Sequence, residues 1–181
     1  MDKKIVGIIG GMGPLATADF FKKIVLNTKA NIDQEHIKVL IDNNTDIPDR
    51  TSAIIHNDKS PVPQLVKSAV MLWAMGAQIL VMPCNTAHYF YSEVQKSVEI
   101  PVLNMIELTC SALVQKGVKR AGLLATEGTI KSKIYQNVFG TRSAVFHSVT
   151  HSLRNIYQFF IACDKAFSIL TIKACLTPKD K

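Results

Sequence analysis

Five compact apolar runs punctuate the first 139 residues: KIVGIIG (4–10), IKVLID (37–42), QILVMP (78–83), PVLN (101–104) and RAGLLA (120–125). Each is strand-sized and rich in Val, Ile and Leu without strict polar alternation, the pattern of strands covered on both faces. Helical patterns fill the gaps, near 14–30, 61–75, 86–97, 105–116 and 128–138. The second of these has Ser60 as a cap, Pro61 and Pro63 in the first turn, and an apolar stripe of Leu65, Val66, Ala69, Val70 and Trp73. Gly76 ends it, and Gly117 ends the fourth in the same way. Strand–helix alternation with right-handed crossovers predicts an α/β fold, a parallel sheet flanked by helices.

A weak internal repeat extends this reading. Shifted by 115 residues, IVGIIGGMGPL (5–15) falls on RAGLLATEGTI (120–130), with Gly7 on Gly122 and Gly13 on Gly128. Each copy reads as a strand, a Gly/Thr turn and a helix start, which proposes two similar α/β units. The expected division is residues 1–100, carrying Cys84, and residues 101–181. The second unit is expected to be incomplete, because the rhythm stops near Gly140. No glycine follows in the last 41 residues, and the apolar stretch SLRNIYQFFIACDKAFSILTIKACL reads as one packed helix.

Composition narrows the class. The chain is 48% hydrophobic and 19% charged, as a globular protein is. No apolar run is long enough to span a bilayer, and MDKKIVGIIGG reads as a first strand, not a signal peptide. Four cysteines without a secretory signal point to free thiols in a reducing cytosol, hence a cytoplasmic protein. The net charge of +7 hints at nucleic acid, but residues 1–139 hold 15 Lys and Arg against 12 Asp and Glu. The excess sits in residues 140–181, with 6 against 2, and no basic helix with interleaved aromatics is present. A mildly basic solvated surface is expected, with neither nucleic acid nor membrane as partner.

Three turns carry polar chemistry. In GIIGGMGPLA, Gly11, Gly13 and Ala16 fit a variant of the dinucleotide fingerprint. Pro14 removes an N–H there, and the nearest strand-end acid, Asp42, lies 31 residues beyond Gly11 where about 20 is usual. A glycine turn facing any small anion explains the same residues. The segment IDNNTDIPDRTS (42–52) follows the second strand and carries Arg50, read either as a carboxylate clamp or as a solvated loop arginine. Cys84 follows QILVMP and precedes a helical pattern, where a helix start's orphan N–H groups favour a thiolate and lower a cysteine's pKa. Asn85 and Thr86 beside it are capping types that also offer polar groups to a ligand. Cys84 and His88 lack a second Cys/His pair at ligand spacing, so no metal site is expected. His88 reads as a supporting or surface residue, and Cys110, within IELTCSALV, as core.

GIIGGMGPLAT, IPDRT, PCNTAH and LLAT-x-GT, in this order over roughly residues 1–139, resemble the aspartate/glutamate racemase superfamily, most closely its aspartate racemase branch. The resemblance implies two similar α/β domains, no cofactor (pyridoxal phosphate included), and a homodimer. It implies inversion of the α-carbon of an acidic amino acid, aspartate or glutamate. One cysteine thiolate removes the α-proton and a second, protonated cysteine returns a proton to the other face. By the same resemblance Cys84 is one base. Met12 with its glycine turn, Asn85, Thr86 and Thr126 hold the α-carboxylate and amine region, and Arg50 binds the side-chain carboxylate. The repeat offset puts the second cysteine near residue 199, past Lys181, and Cys163 and Cys175 are poor matches to its context. The expectation is a truncated or divergent second domain, and a racemase impaired on one face or an amino-acid-binding relative without the chemistry.

Overall fold

The computed structural model describes residues 4–118, 120–123, 125–140 and 145–148. It divides into two compact units, Met1–Asn104 and Met105–Lys181. The first is built on four parallel strands, β1 (Val6–Ile9), β2 (Val39–Asp42), β3 (Ile79–Val81) and β4 (Val102–Leu103), in the order β2-β1-β3-β4. β1 pairs on both sides, Val6 opposite Val39 of β2 and Ile79 of β3, and all four of its residues are buried. This is the reason for its unbroken Val/Ile character: a central parallel strand has no solvent face for a polar residue to occupy. Leu80 and Val81 of β3 lie opposite Val102 and Leu103 of β4, so the PVLN run belongs to this sheet.

Four helices accompany the strands: α1 (Pro14–Asn27), α2 (Arg50–His56), α3 (Val62–Ala74) and α4 (Tyr91–Lys96). Along α3 the buried positions are Leu65, Ser68, Ala69 and Leu72, the three-and-four spacing of a helix laid on a sheet. Leu65 and Leu72 join Ile9, Leu80, Met82 and Val94 in one core. Burying a leucine of this kind contributes about 2 kcal/mol. Ser60 acts at the head of α3 as its type suggests, its Oγ accepting the Val62 N–H at 3.3 Å.

Two local features differ from the sequence expectation. Residues 42–52, read as a loop, end in the start of α2, whose N-cap Asp49 accepts the Ser52 N–H at 2.6 Å. The helical pattern at 86–97 is split, with a 3-10 turn at Thr86–Phe90 leading into α4.

The second unit contains α5 (Met105–Gln115), β5 (Arg120–Leu123), α6 (Glu127–Lys131), α7 (Ile134–Gly140) and β6 (Val145–Ser148). Its core gathers Met105, Ile106, Cys110, Leu123, Ala125 and Tyr135, with Cys110 fully buried as expected. β5, its turn and α6 reproduce the strand–turn–helix order of β1, its turn and α1. The expectation that this rhythm ends at Gly140 needs correction. Val145–Ser148 forms a strand parallel to β5, with Arg120 opposite Val145 and Leu123 opposite Ser148. Strand pairing runs through backbone groups, so a short strand needs no glycine punctuation to announce it. Cys163, Cys175 and the stretch read as one helix lie outside the described residues.

Candidate active site

Because the first sheet is parallel, the segments following β1, β2 and β3 emerge at one edge, the carboxyl ends of the strands, where open α/β sheets bind ligands. Those segments carry Met12, Arg50 and Cys84 respectively.

The turn after β1 is shaped by its glycines. Gly11 has φ +86°, and a Cβ there would collide with the Asn44 backbone, so the position admits glycine alone. Thr17 of α1, 3% exposed, closes the turn: its Oγ1 accepts the Gly11 N–H at 2.9 Å and donates to the Gly13 carbonyl at 3.1 Å. The sequence signal for Thr17 is its place four residues after Gly13, where a threonine hydroxyl reaches back to the preceding turn's carbonyl. Met12 is buried in the same core as Ile47 and Ala87, so its side chain supports the turn from below. The dinucleotide fingerprint does not hold here. Ala16 is exposed, whereas the third small residue of that motif packs helix against strand.

Arg50 opens α2. Its Nη1 donates to the carbonyls of Ile47 and Pro48 at 3.3 and 3.1 Å, which anchors the guanidinium against its own loop. Its Nε is buried and meets no hydrogen-bond partner among the described residues. Arg50 is therefore partly buried and held by its own loop rather than fully solvated.

Cys84 stands between β3 and the 3-10 turn, its N–H bonded to the Met82 carbonyl at 2.8 Å. Part of the residue reaches the surface. Even so, burial is the largest influence on the thiol and pushes its pKa up. Opposing this, in order, are the Ala87 backbone, the charge of Arg50, a side-chain hydrogen bond from Arg50, and the Thr86 backbone. The donors expected at a helix start are thus in place around the sulfur, joined by Arg50. The expected net lowering is not, because desolvating a thiolate costs more than these donors return. Asn85 occupies the N-cap but does not cap the turn with its side chain; its carbonyl accepts the His88 N–H at 3.0 Å. Thr86 is buried.

Thr126 belongs to the second unit, as N-cap of α6. Its Oγ1 accepts the Thr129 N–H at 3.4 Å and lies 3.1 Å from the Thr129 hydroxyl. Among the described residues no group of three or more His, Cys, Asp or Glu is placed to hold a metal ion, and no helix is long and apolar enough to cross a membrane.

Cys84, at the carboxyl end of a central strand, thus lies among the backbone groups of Thr86 and Ala87 and the side chain of Arg50. The chain belongs to the Asp/Glu/Hydantoin racemase family, whose profile matches residues 9–173. It is 35% identical to the structure of Picrophilus torridus aspartate racemase, with a TM-score of 0.76, covering 96% of this chain and 73% of that one. It is 32% identical over 150 residues to the broad specificity amino-acid racemase RacX of Bacillus subtilis (strain 168), 79% of this chain and 64% of that protein's length. It is also 34% identical over 92 residues to a glutamate racemase of Picosynechococcus, 48% of this chain and 32% of that protein. The chain therefore spans less than two thirds of the length of either of these two relatives.

Proposed function

We propose that this chain abstracts the α-proton of an acidic amino acid through the Cys84 thiol, as a cofactor-independent racemase. The observation that carries the reading is the pairing of Cys84 with Arg50, whose buried Nε still has a donor to give. A carboxylate arriving at that guanidinium satisfies the donor and brings the substrate beside the sulfur. Family membership and the likeness to an aspartate racemase support the same substrate class.

In this reading Arg50 holds the side-chain carboxylate. Asn85, Thr86 and the backbone of the Met12 turn receive the α-carboxylate and amine. An α-proton beside a carboxylate is very weakly acidic, so donors already aimed at the developing charge supply most of the stabilisation. The base must be compact, positioned and ionised during the step, which the Ala87 and Thr86 backbone groups and Arg50 promote. The two units, a homodimer, and a second thiol on the opposite face complete the proposal.

Incubating L-aspartate and L-glutamate with the chain in deuterated water tests it. Deuterium should enter the α-position, and Cys84→Ala should abolish the exchange. Saturable binding without exchange would instead mark an amino-acid-binding relative.

A further inference from the structure

Building on the racemase reading, we infer that His88 is a positioning residue for Cys84, acting through a hydrogen bond from its Nδ1–H to the cysteine's own carbonyl. His88 is 5% exposed and its Nδ1 lies 2.8 Å from the Cys84 oxygen. A carbonyl only accepts, so Nδ1 carries the proton. Burial lowers the ring's pKa to about 4, so it is neutral at physiological pH with a single N–H, which the Nδ1 tautomer directs at the Cys84 carbonyl.

The ring is held in turn by β4. A backbone contact at Leu103 engages it. It also stacks on Tyr91, with centroids 6.3 Å and planes 6° apart, and the Tyr91 hydroxyl donates to the Val102 carbonyl at 3.0 Å. Both routes end on the strand paired with β3, from which the Cys84 turn departs. His88 therefore ties the reactive turn to the sheet at a point where the strand ladder has already ended.

The effect on the thiol is geometric. The Cys84 N–H is fixed by the Met82 carbonyl and its C=O by His88, so both flanking peptide planes are held. The sulfur then has only the staggered choices of one torsion left. Releasing the carbonyl lets the peptide turn, which swings the sulfur relative to the Thr86 and Ala87 donors.

Three substitutions in the whole chain separate the donor from the ring. His88→Asn places an amide nitrogen where Nδ1 stood and keeps the bond. His88→Phe keeps a ring for Tyr91 and removes the donor. His88→Gln sets its amide farther out, at the Nε2 position, and replaces the Phe variant if that one fails to fold. Since a displacement of about 1 Å at a reacting group costs on the order of 100-fold, His88→Phe should lower kcat by roughly that factor with KM changed less than about twofold. His88→Asn should stay within about tenfold of wild type on the same reasoning.

Iodoacetamide alkylation of Cys84, followed by peptide mass spectrometry, reads the thiol's placement without any substrate. Its rate should depart from wild type in the Phe or Gln variant and return in the Asn variant. Equal behaviour of the donor-bearing and donor-lacking variants, in either assay, overturns the positioning role. If wild-type protein exchanges no α-proton, the racemase reading fails, and the alkylation series alone decides on His88.

Discussion

Acidification should weaken the first unit through His88 before any substrate is involved. The folded ring has a pKa of about 4 against an ordinary value of 6.5, with burial as the main cause. Between those values the unfolded chain binds the proton more tightly than the folded one, so stability falls as pH falls. It is complete above pH 6.5, drains away down to about pH 4, and is constant below that. The whole interval is worth about 3 kcal/mol, of which about 2 kcal/mol is gone at pH 5. Trp73, the only tryptophan, lies on α3 against the first unit's core, so its fluorescence reports this unit. At a typical urea dependence of about 2 kcal/mol per molar, the midpoint should drop by about 1 M between pH 7.5 and 5. Carboxylates also respond to acid, and His88→Asn isolates their share: it keeps them and removes the titrating ring. The variant's drop should be smaller by about the full histidine contribution. An equal drop in both proteins, or none in wild type, would refute the argument.

Other outcomes follow from the same geometry. Arg50→Gln removes the charge and one donor beside Cys84, so the thiol should ionise less readily and alkylation near neutral pH should slow; unchanged or faster alkylation would contradict the pairing. Thr17→Val leaves the Gly11 N–H without its acceptor, and thermal or urea unfolding should show a loss of roughly 1–3 kcal/mol.

How much of this was legible in the sequence depended on whether the cause was local. The four strands of the first sheet announced themselves because burial on both faces leaves only apolar residues, and a parallel strand shows that directly as VGII or ILV. Cys84 could be placed at a strand end for the same reason. α2 was hidden because seven residues are too few to display a helical period, although Asp49 three residues before Ser52 is a capping signal. β6 was hidden because the expectation relied on glycine punctuation. The direction of the Cys84 shift was not legible at all. The local donors predicted a lowering, whereas the desolvation that overrides them comes from packing among distant segments.

The strand order β2-β1-β3 has a consequence for the Arg50–Cys84 pair. The strands leading to these residues are not neighbours, because β1 runs between them, which separates their ends by about 10 Å. The two side chains nonetheless meet, and the chain leaving β1 in the gap is Gly10-Gly11, backbone without side chains. The spacing of Cys84 and Arg50 is thus inherited from the hydrogen-bond ladder of the sheet, the part of a fold that opens last. Breathing of the loops can leave that spacing intact. A drift away from glycine at the end of β1 would put a side chain into that gap and disturb the spacing of Cys84 and Arg50.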